Sequence, residues 1–443
     1  MKEDGLQLPV IGGERTPYTA MESQASNSKP DYPDFMTLFL TVISSFFYMG
    51  NFYLLAVTAK DYSDALGVEE GFSGILTGVN WAAAVLCAFC YSFWSNYQFK
   101  VPTAFCAGLV FLGNLLYFLA YDANSTLVLV LGRLLIGIGG PRVINRRYIA
   151  TYVSLNARTK WNTAYVAGSI LGMGCGPFIS AGLYYFQGSL FGLSITSFNS
   201  CALVMTVVWL AYFISITLLF KEPEIYNKAG SKPLINKEAG SYSPIPTIMA
   251  LWALFFPKLL QESLIISSPI VTGTLFGWGS DFVGVYLAII LLAVSPVHVF
   301  IAYTSGYIQD RQFILTALCL CTLGSFLLIG YGDLPVWQYV LGSIVVHLAT
   351  NLADGVSTSL TSKVLPPEMA KGFFNAGLLA TLAGSLGRAF GGIVISISGH
   401  FGTNQTMENY LFVPMTVLTL VSLLFVLITY KVLVPLQAPK KIN

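Results

Sequence analysis

Apolar runs of about 20 residues, long enough to cross a bilayer as helices, recur from Phe35 almost to the end of the chain. Twelve candidate spans result, near 35–59, 71–94, 101–121, 126–151, 161–187, 200–220, 244–272, 281–305, 312–331, 335–362, 371–398 and 408–434. Polar stretches punctuate them. Residues 1–34 hold Ser, Asn, Pro and charges without periodicity and read as a solvated tail. The stretch Lys221–Ser243, rich in Lys, Glu, Gly and Pro, divides the spans into two sets of six. The expected organisation is a disordered tail (1–34), a six-helix bundle (35–221), a linker (222–243), a second six-helix bundle (244–434) and a short tail (435–443). An all-α membrane protein is predicted.

Composition points the same way. Only 10% of the 443 residues are charged and the mean hydropathy is +0.68, whereas soluble domains carry roughly 25% charged residues. Lipid is therefore the main solvent. A net charge of +2 suggests no nucleic-acid partner. The seven cysteines (Cys87, Cys90, Cys106, Cys175, Cys201, Cys319 and Cys321) all fall in apolar runs. Cys87 and Cys90 have CxxC spacing, but no second pair or histidine accompanies them, so small buried side chains are the better reading than a metal or redox site. No nucleophile–base pair or metal cluster appears, so neither an enzyme nor a cofactor is expected. No cleavable signal peptide is visible, because the first residues are polar and the first apolar run is long. Tyr18-Thr19-Ala20-Met21 fits a tyrosine-type sorting signal, although four-residue patterns of that kind also arise by chance.

Charge placement sets the expected orientation. One set of connections holds Lys100; Arg158 and Lys160; Lys221, Lys228, Lys232 and Lys237; Arg311; and Lys363 and Lys371. Both tails share that side. The alternate connections hold Asp61, Asp64, Glu69, Glu70, Asp122, Asp281, Asp333 and Glu408, with Lys60 alone at a span edge. Lys and Arg concentrate in cytoplasmic loops, so both termini and the linker are expected in the cytoplasm. The sequons at Asn124 and Asn404 fall on the opposite face as candidate glycosylation sites. Asn124 sits close to the membrane.

The charges left inside the spans are informative because each is expensive there. The bases are Arg133, Arg142, Arg146, Arg147, Lys258 and Arg388; the acids are Glu262 and Asp354. Six bases against two acids leave a formal excess of four positive charges. An anionic ligand would account for it. Arg142 and Arg146, one helical turn apart, lie about 40° from each other around the axis and about 6 Å apart along it. Like charges at that spacing repel, and a multivalent anion bridging them relieves the repulsion. Arginine's planar fork suits phosphate or sulfate oxygens. Arg147 turns away by about 100° more; it is a third candidate ligand, or with Arg146 a marker of the interface. Arg133 lies about 180° from Arg142 on a continuous helix, which favours a structural or coupling role.

In the seventh span Lys258 and Glu262 share a face. They can form an internal ion pair, and also a substrate cation with a proton carrier that releases the substrate when protonated; the two readings are not exclusive. His347, Asn351 and Asp354 make one polar stripe in the tenth span. Arg388 lies among small residues in the eleventh, with Asp354 as a candidate partner. Tyr48 and Asn51 of the first span, with Tyr53, can add neutral hydrogen bonds.

Two sets of six spans with these motifs resemble the major facilitator superfamily (MFS). Gly306-Tyr-Ile-Gln-Asp310-Arg311 resembles its cytoplasmic gate motif, Arg133-xxx-Gly137 its fourth-helix motif, and Gly176-Pro177 its fifth-helix antiporter-type motif. The first-half gate departs: Asn96 stands where an acid is usual, so gating there would lean on Lys100 and its neighbours.

The segments LAYDAN (Leu119–Asn124), GRLLIGIGGPRVINRRYIA (Gly132–Ala150), LGMGCGP (Leu171–Pro177), KLLQES (Lys258–Ser263), QDRQ (Gln309–Gln312) and NAGLLATLAGSLGR (Asn375–Arg388) narrow the resemblance. They look like the transporter half of the SPX-MFS vacuolar phosphate transporters. That resemblance implies inorganic phosphate as substrate, a vacuolar or lysosomal membrane, and Arg142, Arg146, Lys258 and Arg388 as the matched basic positions. The 34 residues before the first span are too few for that family's SPX sensor, so regulation through it is not expected. Leu382 stands where an acid is expected, which leaves the coupling ion, protons included, open. A lysosomal MFS group associated with neuronal ceroid lipofuscinosis shares WSNY and the glycine-rich fourth helix, so another organic anion is one alternative. An anion channel is the other.

Overall fold

The first helix begins where Asp34 turns its carboxylate onto the Thr37 N–H at 3.1 Å, which starts α1 (Phe35–Val57). The computed structural model describes residues 34–68, 72–183, 185–222, 244–278, 280–332, 334–365, 374–401 and 407–433. The sorting-type signal at Tyr18, the sequon at Asn404, nearly all of the expected linker and most of both tails lie outside them.

The chain continues through α2 (Ala59–Ala65), α3 (Phe72–Trp94), α4 (Lys100–Leu119), α5 (Thr126–Ile138), α6 (Arg142–Tyr152), α7 (Leu155–Leu183) and α8 (Ser200–Leu219). The second half comprises α9 (Ile245–Phe276), α10 (Ser280–Val294), α11 (Pro296–Thr304), α12 (Asp310–Leu327), α13 (Val336–Val364), α14 (Ala376–Phe401) and α15 (Met407–Thr429). The twelve expected spans fall on these helices, most on one and some on two in succession. Among the described residues ten stretches are long and apolar enough to cross a membrane, and Gly78–Trp94 of α3 is a shorter apolar helix.

The expected fourth and eighth spans are each broken in two. Gly139-Gly140-Pro141 separates α5 from α6, and Pro296 separates α10 from α11. Proline has no N–H to give and its ring crowds the carbonyl four residues back, so a straight helix cannot pass through it. The sequence reading also missed a hairpin. Gly188–Leu190 (β1) pairs antiparallel with Leu193–Ile195 (β2), turning through Phe191 and Gly192 at φ of 52° and 82°. Asp122 accepts from the Ser194 N–H at 3.1 Å and ties the hairpin to the end of α4.

Packing repeats between the halves. Helix α1 packs on α7 as α9 packs on α14; α4 packs on α5 and α8 as α12 packs on α13 and α15. The α1–α7 contact is close enough to require glycine: a Cβ on Gly172 would fall 2.8 Å from the Gly50 nitrogen. The halves meet where α7 packs on α10, α11 and α13, and where α14 packs on α3 and α6. Asp34 and Lys221 pair at 3.2 Å, and Glu222 accepts from the Phe99 and Lys100 N–H groups at 2.7 and 2.8 Å. These contacts define one end of the bundle, the linker end.

Forcing a side chain into the α1–α7 contact costs about 1–3 kcal/mol. Gly172→Val is expected to lower the apparent Tm of detergent-solubilised protein by several degrees. Gly182→Ala, with nothing within 4 Å of its added Cβ, leaves it unchanged. A thermal ramp followed by tryptophan fluorescence checks both.

Candidate functional site

The break at Pro141 lets α6 start at membrane depth, with Arg142 in its first turn and Arg146 in its second. Every side chain from Arg142 to Ile149 is buried. Arg388 arrives from α14, which lies so close to α9 that a Cβ on Gly387 would sit 3.0 Å from that of Lys258. Arg142, Arg146, Lys258 and Arg388 are each 9% exposed or less, although α6 and α9/α14 belong to different halves.

The carboxylates divide this charge in a way the sequence did not suggest. Lys258 Nζ lies 2.6 Å from Asp354 Oδ2 and donates to Gln261 Oε1 at 3.0 Å. It therefore pairs across to α13, not with Glu262 on its own helix. Glu262 instead faces Arg388, with Oε2 3.9 Å from Nε, so Arg388 is not the partner of Asp354. Asp354 Oδ1 also lies 4.0 Å from Arg146 Nη2. Arg146 donates from Nη1 to the Ala380 carbonyl of α14 at 2.7 Å. One arginine of the first half is thus held by two groups of the second. Four cations against two carboxylates leave this cluster a formal charge of +2.

Arg142 has no carboxylate within salt-bridge reach among the described residues. Its Nη2 points at the Met49 sulfur at 3.2 Å, and its guanidinium lies 5.3 Å from the centre of the Trp81 ring. Arg388 does the same from the other half: Nη1 is 3.7 Å from the same sulfur, and the guanidinium is 5.2 Å from the same ring. Sequence reasoning overlooked Met49 and Trp81. Both are ordinary apolar residues in apolar spans, and nothing local marks them.

The remaining expected residues scatter. Tyr48 and Asn51 are buried in α1, and neither Asn51 amide atom has a partner among the described residues. The Tyr53 hydroxyl sits beside Glu262. His347, Asn351 and Asp354 form the expected buried stripe on α13, with Asn351 donating to the His347 carbonyl at 2.7 Å.

Arg147 is not brought to the cluster. It donates to the Ser92 carbonyl at 2.8 Å, to Ser95 Oγ at 2.9 Å and to the Asn96 side chain, at the linker end of α3. The extra turn about the α6 axis aims it there. Arg133 makes no ion pair among the described residues. Its guanidinium is fully buried, 5.5 Å from the Phe52 ring centre and 5.7 Å from that of Tyr117. Asn124 is exposed just past α4, at φ 44°.

Of the motifs that resemble gates, the second-half one meets the first half through Asp310. Asp310 pairs with Lys363 at 2.6 Å, and both bond Thr159 of α7, at 3.2 and 2.7 Å. Thr159 also meets Ser359 at 2.9 Å, and Asn375 donates to Ser92 Oγ at 2.7 Å. Arg311 donates to the Tyr430 carbonyl at 3.1 Å and lies 4.6 Å from the centre of its ring. In the first half the Arg147–Asn96 bond occupies the corresponding loop. For Lys100 the bond described is that of its backbone N–H to Glu222.

Comparison with known proteins bears on this arrangement. Residues 41–392 match the model of the Major Facilitator Superfamily. The chain belongs to that superfamily, whose members are transporters and not enzymes. It is similar to the SPX domain-containing membrane proteins of two plants. One from Oryza sativa subsp. indica is 30% identical over 89% of this chain and 64% of its own length. One from Arabidopsis thaliana is 31% identical over the same shares. The chain thus spans about two thirds of those relatives. Among MFS structures, that of the human organic anion transporter MFSD10 superposes with a TM-score of 0.64 at 18% identity, over 87% of this chain and 99% of that one. The proton:xylose symporter XylE gives 0.65 at 13%, over 90% and 96%. At these identities the MFS fold is what is shared.

A buried pair that loses one member leaves an uncompensated charge, at a cost of about 3–5 kcal/mol. Asp354→Ala is therefore expected to lower the apparent Tm markedly. The double substitution Lys258→Met/Asp354→Leu recovers most of that loss, because both charges leave together. Thermal unfolding in detergent checks the pair.

Proposed function

We propose that this MFS protein is an alternating-access transporter of a small multivalent anion, with inorganic phosphate as the substrate. The observation that carries this reading is the convergence of Arg142 and Arg388, one from each half, on a single sulfur and a single indole. Neither acceptor neutralises a guanidinium. The cluster's surplus of two positive charges matches a dianion such as hydrogen phosphate, and guanidinium forks suit its oxygens. Lys258 and Arg146, each already bound to Asp354, supply the second layer of charge. The sequence resemblance to SPX-MFS phosphate transporters supports phosphate among the possible dianions.

Transport by rocking two halves about a midplane site needs gates on both sides. The Asp310–Lys363–Thr159 and Asn375–Ser92 contacts join the halves at the linker end. On this reading they form the closed gate on the linker side. The Lys and Arg excess of the linker-side connections supports a cytoplasmic location for that side, and the resemblance favours a vacuolar or lysosomal membrane. Arg147 and Asn96 serve the first-half gate, with Asp310 and Arg311 in the second. Glu262 or Asp354 carries the proton if transport is proton-coupled.

Counter-flow of labelled phosphate in proteoliposomes tests this reading, with and without a pH gradient. Saturable counter-flow is expected; purely electrodiffusive current would indicate a channel instead. Removing a charge-assisted hydrogen bond costs about 1.5–3 kcal/mol, so Arg142→Ala and Arg388→Ala should each raise the phosphate KM at least tenfold. Arg147→Ala should lower the maximal rate and leave KM nearly unchanged. Wild-type rates in Arg142→Ala would sink the site assignment.

A further inference from the structure

Two uncharged side chains hold the position that the proposed substrate's oxygens would take. Met49 of α1 and Trp81 of α3 both belong to the first half. Between them they meet one guanidinium from each half, at 3.2 and 3.7 Å from the sulfur and 5.3 and 5.2 Å from the ring centre. Met49 is fully buried. Hydrocarbon packing alone would be served as well by leucine and would not require that both arginines turn to the sulfur.

A thioether is a weak acceptor, and the face of an indole attracts a cation without forming a hydrogen bond. Together they fix two mutually repelling guanidiniums near each other and leave the charge on both. A carboxylate at either place would hold the arginines far more firmly and would compete with any incoming anion. Glu262 reaches Arg388 only at 3.9 Å, and Asp354 is engaged with Lys258 and Arg146. The acids of the site thus pair with Arg388, Arg146 and Lys258, and neither lies within ion-pair distance of Arg142 among the described residues.

We infer that Met49 and Trp81 are specificity-determining positioning residues: an uncharged, displaceable seat that keeps Arg142 and Arg388 poised for one multivalent oxyanion. An oxygen of the anion takes the place of the Met49 sulfur, and Trp81 stays beneath the two guanidiniums as a floor. The inference rests on the anion-transport reading above. A monoanion satisfies one fork and leaves the other facing sulfur, so selectivity for multivalent anions follows.

The test compares Met49→Glu with Met49→Gln, side chains of nearly equal size that differ in charge. The tethered carboxylate of Met49→Glu should satisfy both arginines. Its apparent Tm without ligand should rise above wild type, and inorganic phosphate should raise it no further. Phosphate counter-flow should fall at least tenfold. Met49→Gln should keep phosphate-dependent stabilisation and lose several-fold less counter-flow than Met49→Glu. Trp81→Leu should raise KM several-fold, and Trp81→Phe, which keeps an aromatic face, should recover most of it.

Equal losses in Met49→Gln and Met49→Glu would reduce the effect to shape and overturn the inference. So would an unstabilised, transport-competent Met49→Glu. If wild-type protein shows no response to phosphate, the phosphate reading fails. The ligand-free Tm of Met49→Glu still reports whether two arginines, one of them without a carboxylate partner among the described residues, meet at that sulfur.

Discussion

Positive charge buried at membrane depth is the constraint on which the rest depends. A cation there is tolerated only beside an opposite charge, a hydrogen-bond acceptor or an aromatic face. Each buried base has found one of these by a different route. Among the described residues, Lys258 has a carboxylate, Arg146 a carboxylate and a backbone carbonyl, Arg388 a distant carboxylate with sulfur and indole, and Arg142 the last two. Compensation weakens steadily along that series. The proposed substrate completes it at Arg142 and Arg388.

Several features of the backbone serve that arrangement. Pro141 lets a helix begin in mid-membrane, which puts Arg142 in a first turn. The close approach at Gly387 brings α14 against α9 and sets Arg388 beside Glu262. Arg146 then crosses between the halves to Asp354 and Ala380. On the proposed reading, the same contact that disperses its charge reports whether the halves are together. Rocking the halves apart at the linker end would separate Arg146 from both partners, so charge compensation and conformational state become linked.

On the proposed reading, the gate motifs of the two halves rest on unlike chemistry. In the second half an acid, Asp310, is paired with Lys363 and tied through Thr159 to the first half. In the first half Asn96 accepts from Arg147, a charged donor on a neutral acceptor. A neutral acceptor holds less firmly than a carboxylate. The Arg147–Asn96 bond lies within the first half, so the halves are joined at the linker end by the Asp310–Lys363–Thr159 and Asn375–Ser92 contacts.

Much of this was legible in the chain itself. Apolar run length and the polar breaks located the spans, because the cost of exposing backbone to lipid is local and demands continuous helix. The intramembrane excess of bases stood out in the sequence, and Arg147, taken there as a third candidate ligand, turns instead to Ser92, Ser95 and Asn96. The pairings were not legible. Lys258 and Glu262 share a helix face, yet each finds a nearer partner on a neighbouring helix, because helix periodicity says where a side chain points and not what stands opposite. Arg133 came to rest near two aromatic rings, which its place in an apolar helix did not reveal. Met49 and Trp81 carry no signal in one dimension. Only the packing of α1, α3, α6 and α14 turned an ordinary thioether and indole into the place where arginines from both halves meet.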